Sequence, residues 1–386
     1  MTNMEPIKGF RDYTGMDAQK RAYIKKVLIS TFEKYGFEPA ETPVIESEEF
    51  VKGDNSQGED EAVSDIYKLK DKGERKLALR YEFTFQLKRI MNNKKLPYKR
   101  YEMGPVFRDE PATANRFRQI TQCDADIIGS SVKDDAEVLS MATELFKTLK
   151  IKNVIYVGNR ALLNEILDEL KVKDENRNSV LREVDKLECK CRFDEKDVIA
   201  NLKKLGAGKI PEILKKPEKY FERYKNYQDI VELRKSCNYY GVKFVFNPSL
   251  VRGLSYYNRN VWEIRTEEMK ETITGGGSYI FNGFQCTGIS FGLERISNLF
   301  ELKEDSAIEK YLVISLEQDK EAIKLVQNLR EKGKSVQIYY GKPSKALDYA
   351  NSYGINNVIF VGSDEVKAKK FKVKDMKSGK EKELKI

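Results

Sequence analysis

The stretch "VFRDEPATANRFRQITQCDADIIG", residues 106 to 129, predicts two antiparallel strands joined by a loop at Pro111 to Asn115. Residues two apart in a strand lie on the same face, so Arg108 and Glu110 should point together from the first strand. On the second strand we expect one polar and one apolar face, formed by Arg116, Arg118, Gln122 and Asp126 and by Phe117, Cys123, Ala125 and Ile127.

The polar face of this hairpin concentrates guanidinium and carboxylate groups on a rigid support. Burying such groups without partners or ligands is costly, so the face is typical of a site for a charged ligand. Solvated ion pairs between the two strands are the simpler alternative. Other parts of the chain are needed to decide between the two.

Length and charge narrow the class of protein. A chain of 386 residues is too long for one ordinary core, so we expect two or three domains. It has no run of 18 apolar residues and no secretory signal in "MTNMEPIKGFRDY", so neither a membrane span nor export is expected and a cytoplasmic location is predicted. The net charge of +9 is compatible with an RNA partner without requiring one.

The composition contains no histidine. Ser-His-Asp triads, Cys-His dyads and HExxH zinc sites are therefore excluded. Chemistry must use arginine, carboxylates, lysine, tyrosine, backbone amides or metal-bound phosphate. The odd number and irregular spacing of the cysteines indicate a reducing compartment and no zinc site; they are Cys123, Cys189, Cys191, Cys237 and Cys286.

The segments around the hairpin predict a single sheet with flanking helices. Apolar residues at helical spacing predict a helix from Asp17 to Tyr35 that ends at Gly36. "FEPAETPVIES" is broken by Pro39 and Pro43 and predicts a strand at a sheet edge or an interface. Residues 76–90 and 99–110 should add strands and helix starts to the same sheet, and "ITGGGSY" should form a glycine-rich hairpin.

The composition and the order of predicted elements in the rest of the chain indicate the domain organisation. Residues 160–238 are helical, charged and poor in glycine, which indicates an insertion between the two parts of a sheet domain, 1–159 and 239–308. From 309 to 386 strands and helices alternate, which predicts a small α/β domain with parallel strands.

A third segment, "GISFGLERISNLF" at residues 288 to 300, predicts a strand that runs into a helix. Its buried face would hold Ile289, Leu293, Ile296 and Phe300, which leaves Arg295 free to point elsewhere. Taken in order, "TPVIE" with Pro43, "FRDE" with Arg116, and "GISFGLERI" resemble motifs 1, 2 and 3 of class II aminoacyl-tRNA synthetases.

Within that class, "LVRGLSYYNRNVWEI" at 250 to 264 resembles the histidine signature of the histidyl-tRNA synthetase family, and "GGGSY" its second signature, GGGRYD. The resemblance covers nearly the whole chain, with "KGFRD" and "RYEFT" included, and is of archaeal type. It implies an α+β fold: an antiparallel sheet of six or seven strands flanked by helices, with a helical insertion and a C-terminal α/β anticodon-binding domain. It also implies a homodimer formed through motif 1.

The resemblance also assigns residues to roles. Glu82, Thr84 and Gln122 would surround the α-amino group of histidine, and Arg108 would meet its carboxylate and the α-phosphate of ATP. Asp126 and Tyr257 would hold the imidazole, and Arg252 and Tyr256 would also contact histidine. Arg252, beside Gly253, would contact the α-phosphate, and further ATP contacts would come from Glu110, Arg116, Phe117 and Arg295. The implied catalytic residues are Arg108, Arg252 and Arg295. No protein ligand for a metal is implied.

The implied reaction is ATP-dependent ligation of L-histidine to histidine tRNA through a histidyl-adenylate, with Mg²⁺ as cofactor. A catalytically silent paralogue that regulates histidine biosynthesis is the alternative, although such paralogues usually lack the anticodon domain and lose signature residues. A synthetase for proline or glycine is disfavoured by the histidine signature.

The chain departs from the family pattern at several positions. Ile120 stands where an aromatic usually stacks on adenine, and Ser278 and Ile280 replace the Arg and Asp of GGGRYD. Asp126 is one methylene shorter than the glutamate common in bacterial members, so we expect a rearranged pocket. The loop "PATAN" lacks the arginine and glutamine often used against the extra 5′ guanosine of histidine tRNA.

Overall fold

The computed structural model describes residues 4–52, 65–113, 116–188, 193–251, 257–302 and 309–384. The chain divides into two compact units, Met1–Glu301 and Leu302–Ile386. No helix within these ranges combines the length and the apolar character that crossing a membrane requires.

The first unit contains a large sheet and a small one. Its strands are β1 (Glu38–Pro39), β2 (Ile45–Ser47), β3 (Lys68–Lys70), β4 (Lys76–Leu79), β5 (Tyr98–Phe107), β6 (Gln119–Ile128), β7 (Val154–Asn159), β8 (Val245–Phe246), β9 (Tyr257–Thr266), β10 (Met269–Phe281) and β11 (Phe284–Gly292). Its helices are α1 (Gly15–Lys34), α2 (Glu48–Lys52), α3 (Leu87–Ile90), α4 (Val132–Thr148), α5 (Arg160–Glu169), α6 (Asp174–Glu188), α7 (Glu195–Lys204), α8 (Ile210–Leu214), α9 (Gln228–Tyr239) and α10 (Leu293–Leu299).

The large sheet has the order β1-β5-β6-β11-β10-β9-β7-β8. Its six inner strands pair antiparallel, and the two-residue strands β1 and β8 pair parallel at the edges. Pro39 lies in β1, where an edge position tolerates a residue without a backbone donor. The predicted fold class, an antiparallel sheet flanked by helices, is confirmed.

Helix α1 confirms the predicted N-terminal helix to within two residues. Ile24, Leu28 and Phe32 form its fully buried stripe, and the ring of Phe32 lies 5.9 Å from that of Phe291 on β11. The helix therefore packs on the large sheet. The chain turns away at Gly36, whose φ of 79° is in the left-handed region that favours glycine.

Two expectations about the strands are wrong. Residues 76–90 do not join the large sheet, because both edges of β4 are taken by β2 and β3 in a separate three-stranded sheet. The glycines of "ITGGGSY" lie inside β10 rather than in a hairpin turn. They are there for close packing: a Cβ on Gly276 would lie 2.1 Å from the carbonyl oxygen of Gly288. The turn itself is Asn282-Gly283, with φ values of 49° and 79°.

The predicted insertion, residues 160–238, contains α5 to α9 and two short 3₁₀ segments, Glu218–Arg223 and Lys225–Tyr227. These helices connect β7 to β8, which lie side by side and parallel and so require a crossover. Val184 of α6 and Leu202 of α7 are fully buried. That this stretch works as a separate module stays a prediction.

The second unit contains β12 (Lys310–Ser315), α11 (Asp319–Glu331), β13 (Ser335–Tyr340), α12 (Pro343–Ser352), β14 (Asn357–Val361), α13 (Ser363–Ala368), β15 (Lys372–Asp375) and β16 (Glu381–Glu383). The sheet order is β13-β12-β14-β15-β16. Its first three strands are parallel, as the alternation of strands and helices predicted. The antiparallel pair β15 and β16 was not predicted, because these short, lysine- and glutamate-rich strands have no apolar alternation.

Glu294 joins three elements of the first unit. Its carboxylate accepts the backbone N–H of Thr121 on β6 at 3.0 Å and pairs with Arg21 of α1 at 3.0 Å, with both side chains about nine-tenths buried. Replacing Glu294 by alanine leaves the buried charge of Arg21 without its partner, which costs about 3–5 kcal/mol. We expect urea unfolding to show a loss of this size.

A surface pair provides the control for this prediction. Glu175 pairs with Lys173 at 3.5 Å, and both side chains are more than 70% exposed. Glu175→Ala should therefore leave the unfolding midpoint almost unchanged. Equal losses in the two variants would contradict a buried, structural role for Glu294.

Candidate active site

A buried cavity of about 80 Å³ lies on one face of the large sheet. This volume exceeds what a single water molecule needs. Strands β6, β9, β10 and β11 contribute to its wall, together with the segments that follow β4 and β5. Its lining consists of Glu82, Thr84, Arg108, Gln122, Asp124, Asp126, Tyr257, Tyr279, Gly288, Ile289 and Ser290.

The strand register explains why there is room for a cavity on this face of the sheet. Arg100, Asp126, Gly288 and Gly277 are neighbours in one row across β5, β6, β11 and β10. A Cβ on Gly288 would lie 2.1 Å from Oδ1 of Asp126, and one on Gly277 would lie 2.7 Å from the ring of Tyr257. Only glycine at both positions leaves room for Asp126, Tyr257 and a ligand.

Asp126 is held on both sides. Its Oδ2 pairs with Nη2 of Arg100 at 3.0 Å, and its Oδ1 accepts the hydroxyl of Tyr279 at 2.6 Å. The rings of Tyr279 and Tyr257 meet edge to face with centroids 6.4 Å apart. The fully buried Arg100 and the hydroxyl of Tyr279 therefore fix the position of this carboxylate.

A second chain of contacts runs from Arg108 into the cavity. Its Nη2 donates to Oε1 of Gln122 at 3.3 Å, and the Nε2 of Gln122 donates to Oδ2 of Asp124 at 2.7 Å. The guanidinium of Arg108 also lies 4.5 Å above the ring of Tyr81. These contacts orient Arg108 beside the buried carboxyl groups.

Burial perturbs the acids of the cavity strongly. It raises the pKa of Glu82 to about 8, with Arg108 opposing the rise and Asp124 adding to it. It raises the pKa of Asp124 to about 7, with the charge of Asp126 adding to the effect. Burial also raises the pKa of Asp126, against the opposing influence of Arg100. Shifts of this kind in a cleft are typical of functional sites.

These shifts predict how the stability of the empty protein depends on pH. The native protein keeps a proton on Asp124 up to about pH 7 and on Glu82 up to about pH 8, whereas ordinary values are 3.8 and 4.5. Unfolding therefore releases protons, so the free energy of unfolding should fall as pH rises from about 5 to about 8. Thermal unfolding at pH 5.5 and pH 8 measures this, and a melting temperature that rises would contradict it. In Asp124→Asn the decline should be smaller.

The cavity brings together six of the eight residues predicted to bind histidine, namely Glu82, Thr84, Arg108, Gln122, Asp126 and Tyr257. The other two, Arg252 and Tyr256, lie outside the described residues, as does Gly253.

The residues predicted to bind ATP, apart from Arg108, do not line this cavity. Glu110 and Arg116 pair with each other at 3.2 Å, and the ring of Phe117 lies 5.1 Å from the guanidinium of Arg11. Nη1 of Arg295 donates to the carbonyl oxygen of Thr272 at 2.6 Å.

The expected faces of the hairpin need one correction. β5 ends at Phe107 and β6 begins at Gln119, so Arg108, Glu110, Arg116 and Arg118 lie outside the strands. The backbone N–H of Arg118 is taken by the carbonyl oxygen of Gly9 of the N-terminal segment. The alternation holds further along β6, where Gln122, Asp124 and Asp126 face the cavity.

The residues of the site that were not predicted include Arg100, Asp124 and Tyr279. Asp124 could have been found from the strand alternation, since it lies between Gln122 and Asp126 on their face. Arg100 could have been found from the hairpin register, which places it opposite Asp126. Tyr279 is the tyrosine of "GGGSY" and lies between Ser278 and Ile280, the two positions that depart from the family signature.

Six antiparallel inner strands, a charged hairpin and a strand-to-helix junction are the features expected of a class II aminoacyl-tRNA synthetase. A family model described as "Histidyl-tRNA synthetase" matches residues 9–296, and one described as "Anticodon binding domain" matches residues 310–386. The chain belongs to the histidyl-tRNA synthetase family.

Individual proteins agree with this assignment. The chain is 33% identical to histidine–tRNA ligase 1 of Bacillus cereus, over 99% of this chain and 97% of the relative. It is 30% identical to the histidine–tRNA ligase of Clostridium acetobutylicum, over 93% and 92%. The predicted family and enzyme class are confirmed, while the archaeal affinity stays a prediction.

Two solved structures share the fold. A histidyl-tRNA synthetase from Nostoc sp. PCC 7120 superposes with a TM-score of 0.84 at 24% identity, over 100% of this chain and 97% of that one. A protein from Bacillus halodurans described as an ATP phosphoribosyltransferase regulatory subunit/histidyl-tRNA synthetase superposes with a TM-score of 0.77 at 18% identity, over 93% and 98%. At these identities the likeness concerns the fold alone.

Proposed function

We propose that this protein joins L-histidine to histidine tRNA in two steps, through a histidyl-adenylate formed from ATP. The observation that carries the proposal is the buried cavity in which Glu82, Thr84, Arg108, Gln122, Asp126 and Tyr257 meet. These residues lie far apart in the sequence and come from four different parts of the chain.

Recognition of the imidazole follows from the arrangement around Asp126. A neutral imidazole offers one N–H donor and one acceptor. In our proposal Asp126, oriented by Arg100 and Tyr279, accepts the N–H, and Tyr257 supplies the phenol partner. An analogue that leaves such buried groups unpaired is discriminated against by a factor of about 10⁴ to 10⁵.

The proposed reaction has two chemical steps. First, a carboxylate oxygen of histidine attacks the α-phosphorus of ATP, and the bond to the β-phosphate oxygen breaks to release pyrophosphate. Then a hydroxyl of the terminal ribose of the tRNA attacks the histidyl carbonyl carbon, and AMP leaves. Arg108 and Arg252 stabilise the charge at the α-phosphate, while Glu110, Arg116, Phe117 and Arg295 hold ATP. Positioning and electrostatics carry such chemistry, which suits a chain without histidine.

Mg²⁺ belongs to the proposal through ATP. Within the described ranges, the acidic and cysteine side chains form no group of three that could hold a metal ion. A protein-made cage therefore does not fit these residues, and we derive no step through the ion. Mg²⁺ commonly reaches such sites bound to substrate phosphates.

The proposed assembly is a homodimer formed through motif 1. The small sheet that follows Pro43 leaves apolar side chains exposed: Ile45 is 51% exposed and Leu69 is 37% exposed. Covering them would favour association. A hydrodynamic mass close to one chain at micromolar concentration would contradict the dimer.

We also propose a role for each part of the chain and a location for the enzyme. We assign residues 1–159 and 239–308 to catalysis, 160–238 to the insertion, and 309–386 to contact with the anticodon, in a cytoplasmic enzyme. The match of residues 310–386 to the anticodon-binding model supports the last assignment.

The test is ATP–pyrophosphate exchange with each of the twenty amino acids supplied singly. Exchange with histidine alone is expected. A folded protein that shows no exchange with any of the twenty amino acids would overturn the proposal and favour a regulatory paralogue. The fold shared with the Bacillus halodurans protein is the reason to consider this alternative. Exchange with another amino acid would overturn the assignment of Asp126 and Tyr257.

A further inference from the structure

Asp124 is a buried acid for which family resemblance supplied no role. It lines the cavity and is 95% buried, as is Glu82. One oxygen of each carboxyl group, Oδ1 of Asp124 and Oε1 of Glu82, accepts no hydrogen bond from the described part of the chain. Buried acceptors are rarely left unpaired, so each such atom calls for an explanation.

The charges around the cavity do not balance. The carboxyl groups of Glu82, Asp124 and Asp126 face the guanidinium groups of Arg100 and Arg108. Asp126 forms an ion pair with Arg100 and accepts a hydrogen bond from the hydroxyl of Tyr279.

The other groups packed here, within the part of the chain that the structure describes, do not supply the missing positive charge. Glu102 of β5 pairs with Arg80 at 3.2 Å and lies 3.7 Å from Arg100. Ser290 of β11 stands opposite Asp124, and its hydroxyl opposes the rise in the pKa of that carboxyl group without adding a charge. Tyr257 contributes a phenol. Among the described residues, one negative charge in the cavity therefore lacks a counter-charge when all three acids are ionised.

We propose that Asp124 and Glu82 together bind the α-ammonium group of histidine, and that in the empty cavity this pair of acids retains a proton that leaves to solvent when the ammonium enters. This inference rests on the proposed function and adds to it a second acid for the ammonium and a link to pH. The ammonium replaces the proton as the counter-charge, so charge and atoms balance.

The chemistry of the two partners fits. An ammonium group has three N–H donors and no acceptor, and two of these donors match the unpaired oxygens of Asp124 and Glu82. Two nearby buried carboxyl groups do not both ionise readily, and their titration belongs to the pair. The raised pKa values, about 7 for Asp124 and about 8 for Glu82, are in line with a retained proton at neutral pH.

The inference predicts that histidine binds more tightly as pH rises. Below about pH 8, where the pair still holds its proton, displacement of this proton should make the affinity increase by up to about tenfold per pH unit. Once the titration of each ligand's own imidazole is allowed for, an analogue without the ammonium group should lose both the affinity and its dependence on pH. Histidinol, which keeps the ammonium and lacks the carboxylate, should retain the dependence.

The experiment is titration calorimetry of the full chain at pH 7.5 in phosphate and in Tris, whose ionisation enthalpies differ, so that the difference in heat counts the protons released. At this pH the imidazole of histidine, with an ordinary pKa of about 6.5, contributes only about a tenth of a proton. The imidazole of imidazolepropionate is more basic, because no ammonium withdraws electrons from it, so each ligand is titrated alone in the same buffers to measure the proton on its own imidazole. After the protons released by each ligand's own imidazole are subtracted, histidine and histidinol should each release about half to one proton per site, and imidazolepropionate, which lacks the ammonium, close to none. Asp124→Asn should bind histidine at least about tenfold more weakly and release fewer protons.

The outcomes separate this inference from the proposed function. A wild-type protein that binds no histidine overturns the proposed function itself. Histidine binding without proton release, or equal release with imidazolepropionate, overturns the role of the acid pair and leaves the function standing. Since the ligand comparison uses the wild-type protein, it remains decisive if Asp124→Asn fails to fold. An Asp124→Asn protein that folds and keeps the full affinity also overturns the inference.

Discussion

Replacing Arg108 by alanine should lower the rate of histidine-dependent ATP–pyrophosphate exchange by about a thousandfold. Removing one preorganised donor to a developing charge typically costs about 10² to 10³ in rate. Arg108 also opposes the rise in the pKa of Glu82, so its loss should leave Glu82 protonated to still higher pH and weaken its hold on the ammonium. The loss of the donor and the change at Glu82 should both lower the exchange rate.

The measurement is the exchange rate at saturating ATP over a range of histidine concentrations. Arg75→Ala provides a matched control, because Arg75 is 80% exposed and pairs with Asp71 at 2.5 Å outside the cavity. That variant should exchange like the wild type. An Arg108→Ala protein within tenfold of the wild-type rate would show that Arg108 does not contact the reacting groups.

Replacing Gly288 by alanine should abolish measurable histidine binding and destabilise the first unit by about 3 to 5 kcal/mol. The new methyl group would lie 2.1 Å from Oδ1 of Asp126 and 3.4 Å from the ring of Tyr279, so Asp126 must move. Moving it breaks the contact with Arg100, which is fully buried. An uncompensated buried charge costs an amount of this size.

Calorimetry with histidine and thermal unfolding test this second prediction. Gly73→Ala is the control, because a Cβ on Gly73 meets only Oδ1 of Asp71 at 3.5 Å, an ordinary contact. It should bind histidine and unfold like the wild type. Normal binding by Gly288→Ala would mean that the cavity in the row of Arg100, Asp126 and Gly288 is not the histidine site.

Much of the fold followed from local patterns. The helical spacing of Ile24, Leu28 and Phe32 predicted α1, and these side chains are its buried stripe. The alternation along residues 119–128 predicted β6 and the side that faces the cavity. Such patterns are readable because a helix and a strand each repeat their side-chain directions at a constant period.

Local patterns were misleading where the chain ends an element or changes sheet. Alternation in "FRDE" and "NRFRQ" continued past the true strand ends, because charged residues fit a strand and a loop equally well. The glycines of "GGGSY" looked like a turn, whereas Gly276 lies inside a central strand because another backbone approaches it closely. That contact depends on which strands become neighbours.

The sequence by itself determined the family, the order of the motifs and the acids and arginines available to the site. Only the tertiary structure decided that Asp126 shares a row with Arg100 and Gly288. It also decided that the hydroxyl of Tyr279 donates a hydrogen bond to Asp126, and that Asp124 and Glu82 are both buried. The physical reason is that side-chain direction is local, whereas burial, strand order and the pKa shifts that follow from them depend on contacts between distant segments.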